Sequence, residues 1–312
     1  MSIEPSAQPR PDAIAGGLYG LLVGDAVGRC YEFKSAVELP PPEAIAMRPP
    51  SGYPATYSFV PAGTWTDDGA QALALLDSLL ECGRLDLDDF GARLLAWCDE
   101  GAYTPDGQVF DIGIQTARAF SRMRAGIPAA RAGDAHEHAN GNGALMRVLP
   151  LALWHGGDDA ELVRLAIEQG RPTHGHPRSG VACALYCLLA RRLLRGETAE
   201  VDAVARGAGE FLDDDERTEL DVLMTAPQRA HPAGTGYVVD TFWSALRALE
   251  SSSYDAVIRA AVGFGNDTDT TACVAGGLAG IRFGIAGIPA DWKNELRGRD
   301  RVESLLERLT RD

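Results

Sequence analysis

Apolar residues in this chain recur at spacings of three and four along most of its length. The pattern runs through residues 70–82, 89–100, 112–124, 159–168, 179–195, 240–250, 253–263 and 271–284. Such spacing lines one face of an α-helix and cannot line one face of a strand. Leu and Ala, both strong helix formers, fill these stretches. Segments rich in Val, Ile, Thr and aromatics with strict alternation are nearly absent, and none pair across a two-residue turn. The chain is therefore expected to be all-α.

Between the helical stretches lie long connectors rich in Gly, Pro and His, at 40–63, 126–143, 170–177 and 231–236. Loops of that length in a helical protein are functional or disordered. The 35 glycines exceed ordinary usage and point to tight loops or to close approach of a ligand to the backbone. Residues 1–12, rich in Pro and Ser, read as a flexible tail without a secretory signal, and 13–312 as a single domain. With 29 Lys and Arg against 44 Asp and Glu, a net charge of −15 repels phosphate backbones and anionic lipid, so no nucleic-acid partner is expected. The longest uninterrupted apolar run, 181–190, is too short to span a bilayer, and no membrane partner is expected. Cys30, Cys82, Cys98, Cys183, Cys187 and Cys273 show no Cys-x-x-Cys spacing and read as free thiols of a cytoplasmic protein. No heptads demand a partner, so a monomer is expected.

Candidate chemistry lies toward both ends of the chain. Gly20, Gly24, Asp25 and Gly28 precede Glu32. Thr66, Asp67 and Asp68 stand before one helical stretch, and Asn266, Asp267, Thr268, Asp269 and Thr270 before another. One Thr or Asp before a helix is an N-cap, but such runs offer more oxygen atoms than capping can use. Hydroxyl and carboxylate groups without His or Cys select hard cations such as Mg²⁺, Mn²⁺ or Ca²⁺. Glu32, Asp67, Asp68, Asp267 and Asp269 carry five negative charges, which two divalent cations would largely balance if the groups meet in space. Asn140, Gly141, Asn142 and Gly143, read as opening a helix, form either an ordinary Asn-Gly turn or a cradle of N–H groups for a phosphate. Thr173, His174 and His176 supply imidazoles that serve a ligand or the surface, and no role attaches to His136 or His138.

In this order the segments resemble the ADP-ribosylglycohydrolase family: Gly-Leu-Leu-Val-Gly-Asp-Ala-Val-Gly at 20–28, Trp-Thr-Asp-Asp at 65–68, Gly-Asn-Gly-Ala-Leu-Met-Arg at 141–147, Thr-His at 173–174 and Gly-Asn-Asp-Thr-Asp-Thr at 265–270. The resemblance implies a compact orthogonal helical bundle with a dinuclear Mg²⁺ or Mn²⁺ cleft. Thr66, Asp67, Asp68, Asp267, Asp269 and Thr270 would ligate the metals, and Glu32 would be the catalytic glutamate. Gly141, Asn142 and Gly143 would cradle the pyrophosphate, with Asn140 and Gly113 also binding substrate, His174 on the adenosine half and Thr235, Gly236 and Tyr237 in another ligand-facing loop. Asp111, before Ile112 and Gly113, matches the branch that frees arginine, where a carboxylate suits a guanidinium leaving group. Gly69 departs from the family pattern, in which threonine is common.

The resulting expectation is a metal-dependent hydrolase that cleaves the N-glycosidic bond of mono-ADP-ribosylated arginine on proteins and releases ADP-ribose. Glu32 would act as base toward water and Asp111 would hold or protonate the leaving group. The competing expectations are hydrolysis of ADP-ribosylserine or O-acetyl-ADP-ribose, a catalytically silent ADP-ribose-binding protein, and an unrelated metal-dependent phosphohydrolase.

Overall fold

The computed structural model describes residues 10–311. Among the described residues fourteen α-helices carry the fold: α1 (Pro11–Gly28), α2 (Asp67–Cys82), α3 (Leu87–Glu100), α4 (Ile114–Arg124), α5 (Leu149–Trp154), α6 (Asp159–Glu168), α7 (Pro177–Leu194), α8 (Val201–Ala208), α9 (Asp214–Thr225), α10 (Val238–Ala248), α11 (Tyr254–Val262), α12 (Thr268–Gly287), α13 (Ala290–Glu295) and α14 (Arg299–Thr310). Extended backbone pairs only at the isolated bridges Ser35–Gly265, Asp134–His174 and Gly141–Tyr237 among the described residues. The all-α expectation is met.

At the centre α1 and α12 run antiparallel, each buried over most of its circumference. Their contact is backbone on backbone. A Cβ placed on Gly16, Gly20, Gly24 or Gly28 would lie 2.2, 2.3, 2.1 or 2.3 Å from the carbonyl oxygen of Gly280, Gly276, Ala272 or Thr268. Only glycine permits that approach. Thr268 Oγ1 donates to the Gly28 carbonyl at 2.8 Å, and Tyr254 OH donates to the Gly20 carbonyl at 2.7 Å. By length and composition α12 is apolar enough to cross a membrane (20 residues, with an 18-residue part of mean hydropathy 1.2), a stretch not expected from uninterrupted apolar runs. In this fold 72% of that part is buried within the protein.

The other helices enclose this pair. The long buried helix α7 packs on α5, α6, α9, α10 and α12, while α2 packs on α3, α5 and α14. One fully buried cation, Arg147, donates to Gln71 Oε1 at 2.8 Å, to Gln169 Oε1 at 3.3 Å and to the Gln169 carbonyl at 3.1 Å. Its guanidinium lies 5.1 Å from the Phe90 ring centroid. Burial draws its pKa down to about 10, so it keeps its charge at neutral pH. All six cysteines are free.

Each stretch with helical spacing is a helix. α2 and α12 start earlier than the apolar pattern, at Asp67 and Thr268, because oxygen-bearing residues form their first turns. α12 breaks at Gly284 (φ 69°, ψ 169°), where the pattern ended. The pattern missed α1, which has no polar face, and the shorter α5, α8, α9, α13 and α14. Of the segment read as a tail, residues 1–9 lie outside the described residues, whereas Pro11 and Asp12 form the first turn of α1 with Pro at its favoured N-terminal position.

The glycine interface makes a paired prediction. A Cβ on Gly280 would sit 1.9 Å from the Gly16 carbonyl, whereas one on Gly207 meets nothing within 4 Å. Gly280→Ala is expected to destabilise by about 1–3 kcal/mol, and Gly207→Ala to stabilise by about 0.4–1 kcal/mol. Equal denaturant midpoints for the two variants would contradict this packing.

Candidate active site

The antiparallel α1–α12 pair brings the end of α1 against the start of α12. Beyond Gly28 a turn of 3-10 helix (Arg29–Tyr31) carries the chain to Glu32, which is buried. Phe33 N–H donates to the Asn266 carbonyl at 2.7 Å and Asn266 N–H to the Lys34 carbonyl at 2.6 Å, so Glu32 is tied beside the segment 267–270. Asn266 takes φ 61°, a left-handed conformation that Asn tolerates better than most residues.

Asp25, in the last turns of α1, positions the second acidic segment. Its fully buried carboxylate accepts the Thr66 N–H at 3.0 Å on each oxygen and the Gly69 N–H at 2.8 Å. Thr66 in turn caps α2, its Oγ1 accepting from Asp68 N–H at 3.3 Å. These bonds satisfy N–H groups that have no partner within α2 and aim Asp67 and Asp68 inward. Burial outweighs them and lifts the Asp25 carboxyl to about 7. Gly69 is required by packing, since a Cβ there would lie 2.7 Å from Leu22 Cδ2 and 2.8 Å from Trp65 Cγ.

Carboxylates converge between these elements. Single oxygens of Glu32, Asp111 and Asp269 all lie within 4.8 Å of one another. Thr270 Oγ1 is 3.5 Å from Asp68 Oδ1, Gln71 Nε2 donates to Asp67 at 3.4 Å, and Asn142 Nδ2 donates to Asp267 at 2.8 Å. Burial first, then the neighbouring carboxylates, drives Glu32 up to about 10 and raises Asp67, Asp68 and Asp269 well above the usual carboxyl range. Asp111 is raised mainly by burial and is held by the Tyr57 hydroxyl, which donates to its Oδ2 at 3.0 Å.

Glu32 Oε2 and Asp68 Oδ2 are sealed from water and have no hydrogen-bond donor. An orphaned buried carboxylate oxygen calls for a proton or a cation. The all-oxygen donor set with no His or Cys fits a hard divalent ion. The tightest trio includes Glu32 and Asp111, which the sequence reading gave catalytic roles, beside Asp269, read as a ligand.

The remaining sequence-derived residues form an adjoining wall. Asn142 N–H donates to the Gly236 carbonyl at 3.1 Å and Val238 N–H to the Asn140 carbonyl at 2.9 Å, and Gly141 pairs with Tyr237. Gly236 abuts the acidic centre, since a Cβ there would be 3.2 Å from Asp267 Oδ2. Asn140, Gly141, Gly236 and Tyr237 line an open groove of about 520 Å³ together with Gln115 and Arg178. Residues 140–147 open no helix, contrary to expectation: Asn142 accepts from Leu145 and Met146 N–H in consecutive turns, and α5 begins only at Leu149. His174 lies under the turn rather than in the groove. It is 4% exposed, and a Cβ on Gly143 would meet its Cε1 at 2.5 Å. Burial, with the nearby Arg147, pulls its pKa to about 3, so it is neutral. Gly113 is exposed at the start of α4, two residues beyond Asp111.

Helical fold and buried acids together define a family. The ADP-ribosylglycohydrolase family model matches residues 6–312, and the chain belongs to that family. It is 28% identical to the ADP-ribosylarginine hydrolase Tri1 of Serratia proteamaculans (96% of this chain, 79% of that one). It is 30% identical to the ADP-ribosyl-[dinitrogen reductase] glycohydrolase of Rhodospirillum rubrum (91% and 90%). It is 26% identical to the ADP-ribosylhydrolase ARH3 of Bos taurus (95% and 92%). A solved structure described as an ADP-ribosylglycohydrolase-related protein complex superposes with a TM-score of 0.77 at 34% identity, covering 97% of this chain and 98% of the other. The chain is an ADP-ribosylglycohydrolase with a buried acidic cluster.

Asp25 and Tyr57 carry no assignment in the sequence reading. Asp25 had a signal, an acid inside a small-residue helix, whereas Tyr57 sits in a Pro-rich connector with none.

The raised carboxyls fix the sign of a pH effect. Groups whose folded pKa exceeds the unfolded value add stability below about pH 4, and that stability is lost as pH rises toward the folded value. For Glu32 the window runs up to about 10. The metal-free protein is therefore expected to melt at a lower temperature near pH 8 than near pH 5, counting these groups alone. Mg²⁺ or Mn²⁺ at a hundredfold excess over its dissociation constant should add about 2.7 kcal/mol near pH 8, and less near pH 5. Calorimetry with and without chelator measures this, and a melting temperature insensitive to the cation would exclude a metal site.

Proposed function

We propose that this chain hydrolyses the N-glycosidic bond between ADP-ribose and an arginine side chain of a protein, releasing ADP-ribose and free arginine. The observation that carries the reading is Asp111, whose carboxylate meets Glu32 and Asp269 within 4.8 Å while the Tyr57 hydroxyl fixes its orientation. The relative named an ADP-ribosylarginine hydrolase, Tri1 of Serratia proteamaculans, supports it.

Thr66, Asp67, Asp68, Asp267, Asp269 and Thr270 would hold two divalent cations, Mg²⁺ or Mn²⁺. Such cations supply positive charge that polarises hydroxyls and makes water more acidic. Asn142 and Gly236 sit against Asp267, so a diphosphate in the adjoining groove would lead its distal ribose toward the carboxylates. Asn140 and Tyr237 would form the groove's walls.

Glu32 would accept a proton from the attacking water at its buried carboxylate. The water oxygen bonds to the anomeric carbon as the carbon–nitrogen bond breaks, and the electron pair leaves with the guanidine nitrogen. Asp111 would pair with that group, whose planar N–H fork matches a carboxylate, and the proton lost by water returns to it. His174 would serve by supporting the Gly141–Gly143 turn from beneath, as a neutral ring.

Release of ADP-ribose from a mono-ADP-ribosylated arginine protein, with Mg²⁺ or Mn²⁺ and then with chelator, tests the reading. Glu32→Gln is expected to lower kcat by about 10²–10⁴ while ADP-ribose still binds. Asp111→Asn should lose more on arginine-linked than on serine-linked substrate. Wild-type release from serine or O-acetyl conjugates but not from arginine would replace the substrate, and binding without release would make the protein a silent binder.

A further inference from the structure

Four aromatic side chains gather at the rim of the acidic centre. Tyr57 lies with its ring centroid 6.3 Å from Phe33, 6.1 Å from Phe59 and 5.1 Å from Phe110, tilted or edge-on in every case. Its hydroxyl reaches Asp111, the residue after Phe110. Phe33 follows Glu32 directly. Three separate loops thus each place an aromatic ring beside a carboxylate of the site or on the tyrosine that holds one.

Burial gives no reason for this arrangement. Phe33 is 67% exposed and Phe59 72%, so neither contributes a fully buried surface to the core. Phe33 and Tyr57 have φ values of 60° and 50°, left-handed conformations that cost a bulky residue on the order of 1 kcal/mol or more. The loops are held there deliberately by other groups. Phe33 N–H donates to the Asn266 carbonyl, and the Tyr57 carbonyl accepts from Val60 N–H at 2.8 Å and from Arg29 Nη1 at 3.2 Å. Thr56 Oγ1 donates to the Glu32 carbonyl at 2.5 Å, which joins two of the loops to each other. Backbone strain and exposed aromatic surface at one place are what a binding site retains.

The chemistry of the rim selects a planar cation. Aromatic faces carry negative quadrupole density and attract Arg more often than Lys, and a carboxylate pairs with the in-plane N–H groups of a guanidinium. We propose that Phe33, Tyr57, Phe59 and Phe110 form an aromatic collar that receives the guanidinium end of the modified arginine beside Asp111. The proposal rests on the arginine reading above and adds to it the residues that read the acceptor. Tyr57 is the positioning residue, since it touches both Asp111 and the other three rings. Phe33 and Phe59, at the exposed edge, offer their ring faces to the guanidinium as it enters.

The test compares wild type with the Phe33→Leu/Phe59→Leu double variant, which keeps apolar bulk and removes both π faces at exposed positions that the fold does not need. ADP-ribosyl-agmatine provides a guanidinium without a protein, and an ADP-ribosylserine peptide provides a neutral acceptor. The expected result is a rise in KM of about three- to tenfold on ADP-ribosyl-agmatine. Little change in kcat and an unaltered dissociation constant for ADP-ribose should accompany it. An unchanged KM in a variant that folds and turns over would overturn the collar while leaving the arginine reading intact. A rise in KM of equal size on any serine conjugate that is cleaved would also overturn it, because the surface would then be reading bulk and not charge. Failure of the wild type itself to cleave ADP-ribosyl-agmatine or arginine-linked protein would remove the arginine reading and the collar with it.

Discussion

Everything at the site depends on bare backbone contact between α1 and α12. Because a carbonyl of one helix stands where a side chain of the other would be, backbone meets backbone along the pair. Their antiparallel direction then decides which residues meet. The end of α1, with Asp25 and the approach to Glu32, faces the start of α12, with Asp267, Asp269 and Thr270. Asp25 extends the arrangement to a third helix by accepting the first N–H groups of α2, so Thr66, Asp67 and Asp68 are located by a carboxylate in another element. Three helix ends meet at one point, and two of them are N-termini, whose unpaired N–H groups favour negative charge.

Those N-termini soften the crowding of carboxylates without removing it. Burial and mutual repulsion keep Glu32, Asp67, Asp68 and Asp269 far above the ordinary carboxyl range, and two of their oxygens have no donor at all. A chain selected for stability alone would replace such groups with apolar ones of similar size. The scaffold tolerates them because the surrounding packing is rigid: glycine-to-glycine contact on one side, Trp65 against Gly69 on another, and the Arg147–Gln71–Gln169 network beneath. Through Gln71, that network connects the buried cation to Asp67 at one remove.

Most helices with a polar face were legible in the sequence, because one-sided burial leaves a period that can be counted, although α8, α9 and α14 were missed. α1 was not, since a helix buried all round by small residues has no stripe. The acidic segments at 66–68 and 267–270 were legible as excess oxygen at helix starts, and Asn142 with Gly236 as ligand-facing loops. Their mutual pairing was not, because isolated bridges between distant turns leave no local pattern. Asp25 was visible as a residue but not in its role, which is to bond backbone N–H groups 41 and 44 positions away. Tyr57 could not be found at all, since its meaning comes from Asp111, 54 positions on. His174 shows the converse, with a motif residue whose ring props a turn from behind.

The partnership of α1 with α12 also has an order in time. Thr268 and Gly28, which bond across it, are 240 positions apart, so α1 leaves the ribosome long before its mate exists. At typical rates of about 5–20 residues per second, α1 waits on the order of ten seconds or more with nothing to cover its glycine face. The acidic site cannot assemble in that interval, because Asp267 and Asp269 are still untranslated. Until α12 is made, the glycine face of α1 has no partner and the acidic site stays open.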